Sequence, residues 1–387
     1  MMSLNAWPCS LVSKLLNGGR LLAAGVSMAL LGACSGGANQ PQPAPLKPFT
    51  AMIPVQQAWT AKLGDIDFPL TLSASTNTVM LAAGNGLVLA MDAGTGRDLW
   101  RINAGAALAA GVGGDARLAA VVTRGNELVT MADGKIIWRQ KLLAQSFTAP
   151  FVAGGRVFVL AADRSVSAFD GATGSKLWTQ QRPGEPLVLR QAGVLQAVGN
   201  TLLAGLGGRL TGLNPDNGSV RWELPIAIPR GVNDIERLVD LVGPASRLQQ
   251  IVCVRAFQAS VGCVNAERGS LLWSRPADGS QGLDGDERLV FGVESDGRVI
   301  AWQRADGERA WTSDELRHRG LTAPHVVGRS IAIGDASGFV HLLSRQDGSL
   351  LNRLSTDSSA IVAPPVLVGD TLVVVTRKGN VFGFQPQ

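Results

Sequence analysis

Seven of the nine tryptophans recur at intervals of 38 to 51 residues, and six of them stand four residues after a glycine. The pairs are Gly96 and Trp100, Gly134 and Trp138, Gly174 and Trp178, Gly218 and Trp222, Gly269 and Trp273, and Gly307 and Trp311. Trp59 falls in the same register without the glycine, and Gly348 leads to Asn352, where the ring is replaced. Self-similarity at such a period means one supersecondary unit copied many times, each unable to bury its apolar face without its neighbours.

A single copy is all strand and turn. Between Phe151 and Trp178 the chain reads as four short apolar runs separated by Gly154-Gly155, Asp163-Arg164 and Asp170 to Gly174. No run has a helical period. Four residues before six of the seven turn glycines stands a short side chain able to bond the backbone ahead of it: Asp92, Asp170, Asn214 and Asn265, with Thr130 and Ser344 as weaker versions. Such residues favour tight turns, and the glycine supplies the positive φ the turn closes on. Strand side chains alternate, so each tryptophan, at an even offset from its glycine, points to the same face. A ligand cage would need one such ring rather than seven. The tryptophan is expected to anchor each outer strand against the next unit.

Complete copies fall near 79–101, 118–139, 150–179, 194–223, 251–274, 288–312 and 324–353. A last copy, from Ala363 to Phe384, stops before its outer strand, while Val55 to Thr60 carries Trp59 with no strands before it. The two fragments complete each other, which leaves no free terminal edge. The expectation is an all-β protein: one eight-bladed β-propeller of four-stranded blades over residues 55–387, its ring closed by an N-terminal strand.

Residues 1–33 do not fit the repeat. Lys14 and Arg20 precede an apolar run from Leu21 to Leu31 that is too short to span a bilayer and ends in small residues, the pattern of a secretory signal. The segment Leu31-Gly32-Ala33-Cys34 resembles a bacterial lipobox. That resemblance implies that Cys34 is diacylated and becomes the first mature residue, and Ser35, in place of the aspartate that marks inner-membrane retention, implies delivery to the outer membrane. Residues 34–54, with prolines at 41, 43, 45, 48 and 54, read as an extended tether reaching about 60 Å at roughly 3.1 Å per residue.

Removing residues 1–33 takes away two cations and no acid, leaving 33 basic against 30 acidic groups. With no basic run or interleaved aromatics, nothing supports nucleic-acid binding. The only histidines, His318, His325 and His341, have no metal spacing to Cys, Asp or Glu. Asp284-Gly-Asp286-Glu287 lacks the downstream ligands of a calcium loop. No nucleophile motif or phosphate-cradling loop is present, so catalytic residues, a metal and a cofactor are not expected. Register with the third copy places Cys253 opposite Cys263, close enough to form a disulfide in an oxidising compartment.

The Ala-Pro-x-Val segments at Ala149 and Ala323, with the Asp-x-x-Thr-Gly-x-x-x-Trp corners at Asp92 to Trp100 and Asp170 to Trp178, resemble the repeats of pyrroloquinoline-quinone dehydrogenases. Those enzymes are longer and carry an adjacent-cysteine disulfide and an acidic calcium site that have no counterpart here. Eight such repeats behind a lipobox resemble instead the BamB family, the lipoproteins of the outer-membrane β-barrel assembly (BAM) machinery. That resemblance implies a non-enzymatic scaffold on the periplasmic face of the outer membrane. Its partners would be the periplasmic POTRA domains of BamA and the rest of the BAM complex, with unfolded outer-membrane proteins a further candidate. A quinone-dependent dehydrogenase or small-ligand propeller is the alternative.

Two connections match the family's partner-binding segments. Glu185 to Arg190 is similar to its Leu-x-Leu-Arg stretch, which assigns the contact to Leu187, Leu189 and Arg190. Leu187 and Leu189 would share one strand face beside a charge, the composition of a small hot spot. The interval from Trp222 to Trp273 carries an excess in Pro225 to Gln250, where Asp240 matches one of the family's two acids and Val242 replaces the other.

Overall fold

The tryptophan of one repeat packs on the glycine of the next. A Cβ on Gly218 would stand 2.5 Å from the Trp178 ring, and Gly174, Gly269 and Gly307 meet Trp138, Trp222 and Trp273 in the same way. Six of the seven indoles, all but Trp100, also donate the N–H to a carbonyl of that next corner: Trp59 to Ala93, Trp138 to Gly171, Trp178 to Pro215, Trp222 to Ala266, Trp273 to Arg304 and Trp311 to Arg345, at 2.8–3.0 Å. Every staple joins one blade to its successor.

The computed structural model describes residues 41–182, 187–229, 232–233 and 237–387. The signal segment and Cys34 lie outside the described residues, as do Glu185, Pro186 and Asp234 to Glu236. The described strands form eight four-stranded antiparallel sheets. Blades 1 to 7 cover 73–103, 113–141, 151–181, 195–225, 241–276, 284–313 and 325–355. Blade 8 takes three strands from 366–386, and its outer strand is Val55–Lys62, paired with Asn380–Pro386. The expected eight-bladed ring and its N-terminal closure are present.

Burial follows from position in the blade. Both faces of the two middle strands are covered by neighbouring blades, so Val79 to Ala82, Ala119 to Val122 and Val157 to Leu160 are buried at every position. A continuous apolar run without alternation is the sequence mark of such a strand. The outer strands alternate instead, as in Asp98–Asn103, where Trp100 and Ile102 turn inward.

The innermost strands differ most from the sequence reading. Ser73–Ser75, Gly113–Gly114 and Asp284–Gly285 are only two or three residues long. They converge on the ring axis, where a Cβ on Gly113 would lie 1.6 Å from the Pro150 carbonyl of the next blade. The segment read as an insertion up to Gln250 is also shorter than expected. Its second half is the innermost strand Leu241–Leu248 of blade 5, with a register shift between Val242 and Ser246. The connection proper ends at Asp240.

In blade 5, Cys253 pairs directly with Cys263, their Cα atoms are 4.0 Å apart, and the two sulfurs are bonded. Both side chains are fully buried, among Trp273, Val290 and Trp302.

The staple predicts a contrast between two glycines of positive φ. A methyl group added at Gly154 would meet nothing within 4 Å, whereas one added at Gly218 would meet the Trp178 ring. Gly154→Ala should cost only the left-handed conformation, about 1–2 kcal/mol. Gly218→Ala should add overpacking and cost about 2–5 kcal/mol. Thermal melts of the two variants check this, and equal midpoints would remove the staple as a packing constraint.

Candidate functional site

In each blade the connection from the outer strand to the next innermost strand shares a rim with the middle hairpin turn, as antiparallel order requires. On that rim Arg164, at the middle hairpin turn of blade 3, meets both segments singled out in the sequence. Its guanidinium lies 3.4 Å from one oxygen of Asp240 and donates to the Leu187 carbonyl at 3.2 Å. The second Asp240 oxygen accepts the Leu189 amide at 2.8 Å. Farther along, Gly193 donates to Thr148 Oγ1 and Gly243 donates to the Ala192 carbonyl. Residues 187–193 are thereby fastened across blades 3, 4 and 5.

This geometry brings Leu187, Leu189, Arg190 and Asp240 together and gives them different parts. The segment is not a strand, because the Leu189 amide is bonded to a carboxylate rather than to a neighbouring chain. Leu187 is 39% exposed and faces outward. Leu189 is half-buried and lines a cavity of about 50 Å³ with Phe147, Leu160, Leu206 and Leu241. Arg190 is exposed, with its guanidinium 5.9 Å from the Phe147 ring centroid. Asp240 is mostly buried, with one oxygen holding the Leu189 amide and the other facing Arg164, which itself bonds the Leu187 carbonyl. Val242 is buried in its strand and paired with Gly193.

Sequence reasoning missed Arg164 and Phe147. The Asp163-Arg164 turn signalled a hairpin, but nothing in it announced a partner 76 residues away. The connections on either side add exposed apolar residues to the rim, Leu143 (95%) from blade 2 and Ile228 (71%) and Val232 (94%) from blade 4.

The ring axis offers a different chemistry. Its cavity of about 660 Å³ is lined by the innermost strands, with His325 Nδ1 3.0 Å from Asp284 Oδ2. Burial opposes charge on Asp284, but the hydrogen bond from His325 and those from the Val326 and Gly285 amides together outweigh it and leave the carboxyl below its usual range. Asp286, in the calcium-like run, is paired with Arg345 at 2.8 Å. Among the described residues no group of three or more His, Cys, Asp or Glu could hold a metal ion.

Residues 84–313 match the profile of the family described as outer membrane protein assembly factor BamB. The outer membrane protein assembly factor BamB of Burkholderia pseudomallei is 39% identical over 349 residues, covering 89% of this chain and 92% of that protein. The chain belongs to the BamB family. Its fold is similar to the crystal structure of BamB from Moraxella catarrhalis, with a TM-score of 0.78 at 24% identity over 86% of this chain and 99% of that one. The quinohemoprotein alcohol dehydrogenase of Comamonas testosteroni shares the fold alone, with a TM-score of 0.67 at 14% identity over 86% of this chain and 76% of that one.

Asp240→Ala should free the Leu189 amide while leaving the blades intact. Losing a hydrogen bond to a charged group costs about 1.5–3 kcal/mol, so exchange at that amide should accelerate roughly tenfold to a hundredfold. Hydrogen-exchange mass spectrometry over 187–193 checks this, and unchanged protection would show that the carboxylate does not hold the segment.

Proposed function

We propose that this propeller is a non-enzymatic scaffold of the outer-membrane β-barrel assembly complex and docks BamA through the rim formed by Leu187, Leu189 and Arg190. The observation that carries the reading is the Asp240 carboxylate turned inward. It preorganises the 187–190 segment, so an exposed leucine and an exposed guanidinium are held on one clamped segment before any partner arrives. Preorganisation lowers the ordering cost of binding, and a leucine next to an arginine suits a small hot spot. Leu189 acts as the packed base of the segment, and Asp240 and Arg164 as its clamp. The occupant that fits is a periplasmic domain of BamA presenting an apolar pocket beside an acid.

The anchor belongs to the same reading. Cys34, diacylated and then exposed as the first residue by signal removal, would hold the protein on the periplasmic face of the outer membrane, an oxidising location in which the Cys253–Cys263 bond persists. Cys34→Ala should shift the protein to the soluble periplasmic fraction or leave it uncleaved. Persistence in the washed outer membrane would contradict a lipid anchor.

The partner surface is tested by a Leu187→Ala, Arg190→Glu variant, which spares the packed Leu189. Full burial of a leucine is worth about 1.5–3 kcal/mol, so this truncation and charge reversal should weaken BamA binding at least tenfold. Circular dichroism and the melting temperature should match the parent. Parental affinity in a titration of the BamA periplasmic domains would place the interface elsewhere.

A further inference from the structure

Residues 44–53, the second half of the proline-rich tether, are fastened to blade 7. The Ala44 amide donates to the Arg317 carbonyl at 2.9 Å, and its carbonyl accepts from Arg319 at 2.9 Å. Arg319 is buried and fixed by the fully buried Asp335 at 2.8 Å, which also contacts His341 at 3.0 Å. Lys47 pairs with Glu315, and the Arg353 guanidinium lies 4.9 Å from the Phe49 ring centroid. Met52 donates to the Leu351 carbonyl at 2.8 Å and accepts from Arg329 at 2.9 Å. Asn352 donates to the Ile53 carbonyl at 2.7 Å. Asn352 is the residue that interrupts the tryptophan series. Blade 8 has no continuous corner for a tryptophan to cover, because that corner is split between the two chain ends, where Gln387 donates to Pro54. An amide at this position holds the strap instead.

We infer that this strap is the fixed root of the membrane tether, so that the chain leaves the propeller at Ala44 and the edge between blades 6 and 7 faces the lipid surface. The inference rests on the lipidation of Cys34 proposed above. Ala44 sits on the connection from blade 6 to blade 7, on the rim that also carries 187–190, three blades away. Nine residues, 35–43, then separate Cys34 from the strap. At roughly 3.1 Å per residue the reach falls from about 60 Å to about 30 Å. The leash therefore sets which edge of the ring meets the bilayer, as well as its distance.

The test uses the full lipidated chain on vesicles of phosphatidylethanolamine and phosphatidylglycerol containing a headgroup-labelled quencher. A fluorophore on Asp314→Cys, beside the strap root, should be quenched at least threefold more than one on Asn200→Cys, at the opposite rim of blade 4. Inserting twenty Gly/Ser residues between Gln42 and Pro43 lengthens the leash without touching the strap and should erase the difference. Independently of lipid, the Ala44 and Met52 amides should exchange at least tenfold more slowly than in an unstructured chain. Equal quenching on a chain that floats with the vesicles, or unprotected Ala44 and Met52 amides, overturns the strap. Failure to float removes the lipid anchor and the membrane-facing edge with it, while protected amides would still leave the strap docked.

Discussion

Everything in this fold depends on an indole lying where a side chain on the next blade's corner would otherwise stand. The contact works only if that corner is glycine, and the indole N–H then satisfies a carbonyl of the same turn, as Trp178 does with Gly218 and Pro215. A sheet of four short strands cannot cover its own faces, so each blade gains its buried surface from its neighbours. Repeating one directional staple around a closed ring converts that weakness into a structure with no exposed terminal edge. The exception at Asn352 follows the same logic, since the split corner of blade 8 offers a carbonyl to bond but no continuous turn to cover.

The connections between blades are themselves partly buried, through Leu108, Ser146, Leu283, Leu316 and Ile361, and at blades 3 to 5 they also build a clamped segment. Arg164 and Asp240 spend their charges on each other and on backbone groups of that segment. The buried Asp335 performs a comparable service at blade 7, where it holds Arg319 against the strap. Burial opposes ionisation of Asp335, but hydrogen bonds from His341, the Phe339 amide and Arg319 hold its carboxyl below the usual range. In both places an inward-facing acid fixes a segment that carries contacts for something else.

The architecture was legible in the sequence because its central interaction has a fixed spacing. Glycine followed by tryptophan four residues on gave blade number and closure, and the alternation at Cys253 and Cys263 gave the register of their hairpin. The innermost strands of blades 3 and 7 were legible in their Ala-Pro-x-Val segments, but those of blades 1, 2 and 6 were not, since two or three residues of serine, glycine or aspartate near the axis carry no period. Leu241–Leu248 was hidden by Pro244 and by the shift in register beside it. The clamp was out of reach for a different reason: the Leu189 amide and Asp240 are 51 residues apart, and no local pattern links them. The strap was invisible because proline-rich chain reads as extended whether or not it is docked.

The claim that the 187–190 rim is the surface presented to BamA is tested most directly by site-specific photo-cross-linking in intact cells. A photoreactive residue at position 187 is compared with one at Leu177, which is similarly exposed, at 44%, on the outer wall of the same blade. The account predicts a BamA adduct from position 187 and none from position 177. An adduct from 177 with none from 187 would contradict it.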